Sequence, residues 1–172
     1  TQREYFTMGS TLDPVIEQTP CDIIVVKAGK QESREPIRRI LFPSKGHSPH
    51  VKLAIDVVTL IARQHDAEVT ILHVKQEGSS DTDAWKFTQA LAGQLPGIKS
   101  SVKLLDSGDI AGSIVNESRN HDIVVIGATT EGIFQQLLFG AIPQKIASNC
   151  SKTVLMVKKD LGLQSWFRRW FS

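Results

Sequence analysis

Between residues 38 and 159 the apolar positions alternate between short runs and longer stretches with a period near 3.6. The run "RILFP" reads as a strand, and "SPHVKLAIDVVTLIARQHD" after it places Val51, Ala54, Val57, Val58, Ile61 and Ala62 on one helical face. Ser48-Pro49 supplies the start signal for that helix, a side-chain cap followed by a residue whose φ is already helical. "EVTILHV" is rich in β-branched residues and reads as a second strand. The pattern continues with the helix "AWKFTQALAGQL", stopped by Pro96-Gly97, and with the partly alternating strand "KSSVKLLDS". Asp109 is placed to cap "IAGSIVNESRNH", whose Ile110, Ile114, Val115 and Ser118 share a face. "DIVVIGA" is apolar throughout, as a strand buried on both sides must be. A loop and helix, "TTEGIFQQLLFGAIPQKIASNC", then lead to the last strand, "TVLMVK".

Five strands alternating with four helices predict an α/β fold. Right-handed crossovers make it a three-layer, doubly wound parallel sheet with helices on both faces.

Ahead of this unit the chain holds an echo of its end. "GSTLDPVIEQTPCDIIVVK" (residues 9–27) lies on "GAIPQKIASNCSKTVLMVK" (residues 140–158) without a gap at an offset of 131. Gly9 falls on Gly140, Val15 on Ile146, Ile24 on Leu155, Val26 on Val157 and Lys27 on Lys158. Residues 1–27 therefore read as the last helix and strand of a preceding unit, and 28–37, polar with Gly29 and Pro36, as a linker. Residues 38–159 form the complete unit and 160–172 a tail. In that tail Trp166, Phe167, Trp170 and Phe171 share a face at 100° per residue.

Composition narrows the functional classes. With 172 residues there is room for one core and a surplus. No apolar run approaches the ~20 residues of a bilayer span, and a cytoplasmic location is expected. A net charge of +2 spread along the chain argues against nucleic acid. Cys21 and Cys150 form no ligand pair and are expected to be reduced.

"RRILFPSKGHSPHVKLAIDVVTLIARQHDAEVTILHV", "SGDIAGSIVNESRNHDIVVIGA" and "GATTEGIFQQLLFGAIPQKIASNCSKTVLMVK" together resemble the universal stress protein family over roughly residues 38–159. The resemblance implies a five-stranded sheet in the order 3-2-1-4-5, similar to the adenine-nucleotide alpha-hydrolases. It also implies dimers that pair fifth strands antiparallel. By that rule either a homodimer forms or, within one chain, Asp22–Val26 adds antiparallel to Thr153–Val157.

In such a sheet a ligand sits outside the carboxyl ends of the strands, where the order reverses between the first and fourth. The loops there are "PSKGH" (Pro43, Ser44, Lys45) and "GATTEG" (Gly127, Thr129, Thr130). Nucleotide-binding members of the family carry glycine, two residues, glycine, nine residues, glycine and a hydroxyl residue. Glycines there let main-chain N–H groups close on phosphate oxygens. Here the series is Gly127, Thr130, Gly140, Ala141, so one glycine and the hydroxyl are replaced. Lys45 also stands where such members place a metal-holding aspartate. The same resemblance puts His73 and Val74, at the end of the second strand, beside an adenine.

Two readings of the loop follow. Either Lys45, Gly127, Thr129 and Thr130 hold an adenine nucleotide weakly or without metal, or the loop is vestigial and its threonines cap a helix. No nucleophile and base are paired: Ser44, Lys45 and His47 share a loop without an orienting group, and Asp109 is accounted for as a cap beside Asp106. His47 and His50 have no partners at metal-ligand spacing. The expectation is no catalysis, no metal and no obligatory cofactor. It is a regulatory module, the cytoplasmic part of a membrane transporter of the amino-acid permease type, whose aromatic tail meets a membrane surface or membrane domain. The alternative is a cytosolic stress protein that senses ATP or AMP.

Overall fold

The computed structural model of the chain describes residues 19–30, 36–46, 48–75, 81–128 and 141–161. Strands β1 (Ile23–Lys27) and β2 (Arg39–Pro43) come first, followed by helix α1 (Pro49–His65) and strand β3 (Glu68–Lys75). Next come helix α2 (Asp81–Ala92), strand β4 (Ser100–Asp106) and helix α3 (Ile110–Glu117), which runs into a 3₁₀ turn at Ser118–Asn120. Strand β5 (Ile123–Gly127), helix α4 (Ala141–Asn149) and strand β6 (Thr153–Lys158) complete the series.

The strands form one sheet in the order β1-β6-β5-β2-β3-β4. From β4 to β6 all pairs are parallel, and β2 and β5 are neighbours because the winding reverses there. The sheet has six strands, not the five of a single unit, and it is mixed because β1 joins the edge of β6 antiparallel. The pairs run from Ile23 with Lys158 to Lys27 with Val154, so the added strand begins one residue later than Asp22.

Strand pleat sorts the apolar residues into two cores. Ile40, Phe42, Ile123, Val125, Leu155 and Val157 point to the side covered by α1 and α2, against Ala54, Val58, Ala62 and Leu91. Leu41, Leu72, Val74, Val124, Ile126, Val154 and Met156 point to the other side, against Ala111, Ile114, Ile146 and Ala147 of α3 and α4. Ile40, Leu41 and Phe42 are fully buried, so three successive residues serve both layers; each contributes about 1.5–3 kcal/mol by leaving water.

The helix ends follow from local chemistry. Ser48 accepts a hydrogen bond from the N–H of Val51 at 3.2 Å, and α1 ends where Asp66 turns left-handed at φ 52°. Asp109 accepts from the N–H of Gly112 at 3.0 Å and from Lys145 at 3.1 Å, which ties the start of α3 to α4. These two contacts hold its carboxyl below the usual carboxylate range.

The added strand is fixed at both ends. Before it, Asp22 accepts from the N–H of Asp160 at 2.8 Å and from Lys159 Nζ at 3.2 Å. After it, the N–H of Gly29 donates to Thr153 Oγ1 at 3.1 Å and the N–H of Lys30 to the carbonyl of Ser151 at 2.9 Å.

Candidate ligand site at the switch point

Where β2 and β5 diverge, the chain leaves each strand in an opposite direction and a cavity of about 450 Å³ opens at their carboxyl ends. That is within the roughly 300–1,000 Å³ of small-molecule sites. Its floor is apolar: Leu72 and Val74 from β3, Ile126 from β5, and Ile110, Ile114, Ile142 and Ile146 from the facing helices. Pro43, Ser44, Lys45, Gly46 and Ser48 form a polar rim between β2 and α1, and Val51, Gly127, Ala128 and Pro143 complete the wall. Among the described residues Lys45 is the one charged side chain on it.

Ser44 occupies an unusual position on this wall. Its N–H donates to the carbonyl of Leu72 at 2.9 Å, which holds the loop against β3. Its hydroxyl is buried yet has no hydrogen-bond partner among the described residues. A buried hydroxyl without a partner costs about 1–3 kcal/mol, so a ligand that supplies a partner is favoured at this point.

Gly127 does its work by absence of a side chain. A Cβ there would stand 3.3 Å from the carbonyl carbon and oxygen of His50 and 3.4 Å from the N–H nitrogen of Val51. The first turn of α1 therefore lies directly on the end of β5. The same turn is secured by His50, which is buried and accepts at Nδ1 from the N–H of Lys159 at 3.0 Å. Burial holds the His50 pKa below its ordinary value; Lys158 reinforces this and Asp22 opposes it.

Of the residues expected at the site from sequence, Pro43, Ser44, Lys45, Val74 and Gly127 come together on the cavity wall. His73 does not join them. Along β3 the pleat turns Leu72 and Val74 to the cavity side, so His73 faces the α2 layer. There its Nδ1 meets the carbonyl of Ser44 at 2.9 Å and its ring packs edge-on against Phe87, 6.3 Å away. It can thus support the Ser44 loop from behind without touching a ligand in the cavity. Thr129, Thr130 and Gly140 lie outside the described residues, as do His47 and the aromatic tail; Ala141 opens α4. Sequence reasoning passed over Leu72, Ile126 and the isoleucines of α3 and α4. The pleat of β3 and β5 and the apolar first turns of both helices were the signal for them.

Among the described residues no group of three His, Cys, Asp or Glu side chains comes together. Among them, too, no helix is long and apolar enough to cross a membrane.

Residues 83–158 match the model of the universal stress protein family. Over those residues the chain is similar to that family. Solved structures show the same fold. Hypothetical protein MJ0577 superposes with a TM-score of 0.65 at 20% identity, over 73% of this chain and 98% of that one. A universal stress protein from Archaeoglobus fulgidus in complex with dAMP gives 0.58 at 19% identity, over 72% and 100%. A third, a universal stress protein from Archaeoglobus fulgidus DSM 4304, gives 0.65 at 16% identity; the match takes in 90% of this chain but 55% of that one. No curated protein matches the sequence at a significant level. In this fold the reversal of strand order and the cavity stand together.

Proposed function

We propose that this domain is a non-catalytic sensor module that binds an adenine nucleotide in the switch-point cavity without a divalent cation. The observation that carries the reading is the cavity itself: about 450 Å³ over an apolar floor, with a cation and a buried hydroxyl that has no partner among the described residues on one rim. The substitutions at Lys45, Thr130 and Ala141 bear on how phosphates would be held, and they leave the place for the base intact. A lysine meets a phosphate directly as a point charge, where a carboxylate would need a metal between. The relative from Archaeoglobus fulgidus in complex with dAMP supports the ligand class.

The test is a calorimetric titration with AMP and ATP in EDTA and again in excess Mg²⁺, with a Lys45→Glu variant beside the wild type. Binding in EDTA, unimproved by Mg²⁺ and about tenfold or more weaker in the variant, is expected. Absence of heat with both nucleotides in either buffer would overturn the reading and leave a vestigial loop on a docking module. The transporter context expected from the aromatic tail rests on residues 162–172, and nothing in the described residues favours it.

A further inference from the structure

The parallel sheet has a second cavity, at the end opposite the switch point. About 640 Å³ in volume, it opens among the starts of β2, β3 and β4 and the end of α1. Its wall carries four cations, Arg38, Arg39, Arg63 and Lys99, and two carboxylates, Asp66 and Glu68. The surplus of two positive charges there equals the formal net charge of the whole chain, +2, so the rest of the chain is neutral on balance. Charge that looks evenly spread along the sequence is gathered at one place by the fold.

The carboxylates do not neutralise the arginines. Glu68 is taken by Lys99, whose Nζ lies 2.7 Å from it. Asp122, beyond the wall, accepts from the main-chain N–H groups of Arg38 and Arg39 at 2.9 and 2.8 Å, which leaves their side chains out of the contact. Arg39 is attracted to Asp122 and Glu68 through space without an ion pair to either. Among the described residues no ion pair or side-chain hydrogen bond holds the guanidinium of Arg38, Arg39 or Arg63. Arg63 has a structural reason for its place, since a cation suits the negative end of α1. No comparable reason accounts for Arg38 and Arg39, two like charges side by side at the start of a strand.

The backbone that carries these groups is fixed. The carbonyl of Arg38 accepts from the N–H of Glu68, that of Arg39 from Asp122 and that of Lys99 from Val69, each at 2.9 Å. The cations are therefore set in place before any ligand arrives, and binding loses little backbone freedom. An arginine fork meets phosphate oxygens with two parallel N–H donors and stays charged at neutral pH. An anion of single charge would leave two of the three forks unmet.

We infer that this cavity is a second ligand site, for a compact anion with two or more linked phosphate groups. It does not rest on the nucleotide reading of the switch point. β2 separates the two cavities, with Arg39 on the wall of one and Pro43 on the wall of the other, about 13 Å apart by strand rise. Both can be filled at once.

The test titrates the full chain with inorganic tripolyphosphate in EDTA, followed by calorimetry and by amide NMR. Saturable one-to-one binding is expected, with shifts at Ala67, Gly97 and Ile98 and none at Gly46 or Ala128. Arg38→Gln with Arg63→Gln should weaken it by about tenfold or more, because charge-assisted bonds are lost. Lys86→Gln on α2 and Lys45→Glu at the switch point should each change it by less than about threefold, being distant and screened. All four side chains are exposed, so the variants should keep the wild-type thermal midpoint. Absence of binding at low ionic strength would overturn the inference. An equal loss in Lys86→Gln would do the same, by showing attraction without a site. Loss in Lys45→Glu with shifts at Gly46 would move the anion to the switch point and sink the second site. Tighter binding of a single-stranded oligonucleotide through the same arginines would make this end a nucleic-acid surface instead.

Discussion

The N–H of Lys159 donates to Nδ1 of His50 across 109 residues of sequence, and that one bond joins the exit of β6 to the first turn of α1. It requires a neutral imidazole on that nitrogen. Burial lowers the His50 pKa, with Lys158 adding to the effect and Asp22 working against it. An unfolded chain takes up this proton near the ordinary value of 6.5 while the folded one resists it. Stability is therefore fully present above that pH and falls as the pH drops below it, until the folded-state pKa is passed. Urea unfolding at about pH 7.5 and about pH 5.5 should show the loss. In His50→Phe the Lys159 N–H loses its acceptor, which costs about 1–3 kcal/mol at neutral pH, and the pH difference should shrink.

Gly127→Ala places a Cβ against the main chain of His50 and Val51. The neighbour is backbone at the start of a helix and cannot swing aside. A loss of about 1–3 kcal/mol is expected in chemical denaturation. Ser48 and Val51 also line the cavity, so nucleotide affinity should fall with it.

The succession of strands and helices was open to reading because β2 to β6 are written in apolar runs separated by helical periods, whereas their order in the sheet came from the family resemblance. Ser48 and Asp109 announced their helices, and both caps are present with their bonds to Val51 and Gly112. What escaped was set by contacts remote in sequence. His50 looked like an ordinary first-turn residue, since its partner is a main-chain amide at the opposite end of the unit. The side on which His73 lies was legible in principle, because it alternates with Leu72 and Val74. Resemblance drew it to the cavity, and the pleat carries it to Phe87. The loop 129–140 falls outside the described residues.

Ser44→Ala removes a buried hydroxyl that has no partner among the described residues. Without ligand the variant should be as stable as the wild type or more stable by up to about 1 kcal/mol, as measured by thermal unfolding. If the hydroxyl is completed by the bound nucleotide, affinity should fall about tenfold in the same variant. Opposite signs in the two measurements separate a ligand contact from a merely structural residue.

Asp22 holds the start of β1 through the N–H of Asp160 and through Lys159. The Asp160 contact, ahead of the lysine, keeps its carboxyl below the ordinary value. Asp22→Ala should speed hydrogen exchange at Val25 and Val26 several-fold while leaving Val124 and Val125 unchanged, because the edge opens without the core. Asp22→Asn keeps an acceptor for the Asp160 N–H and should lie between the two. Salt should accelerate the wild type slightly, as for any exposed ion pair.

The position of that anchor also decides how the unit bears load. Because β1 runs antiparallel to β6, Asp22 and Lys159 lie at the same end of the ladder, and the chain arrives and departs side by side. Tension between those two points loads the rungs one at a time, starting with the Asp22–Lys159 contact and finishing at Gly29 and Thr153. The added strand is thus a zip fastener and not a shear joint. A modest pull would strip it from the edge of β6 while β2 to β5 stay in register.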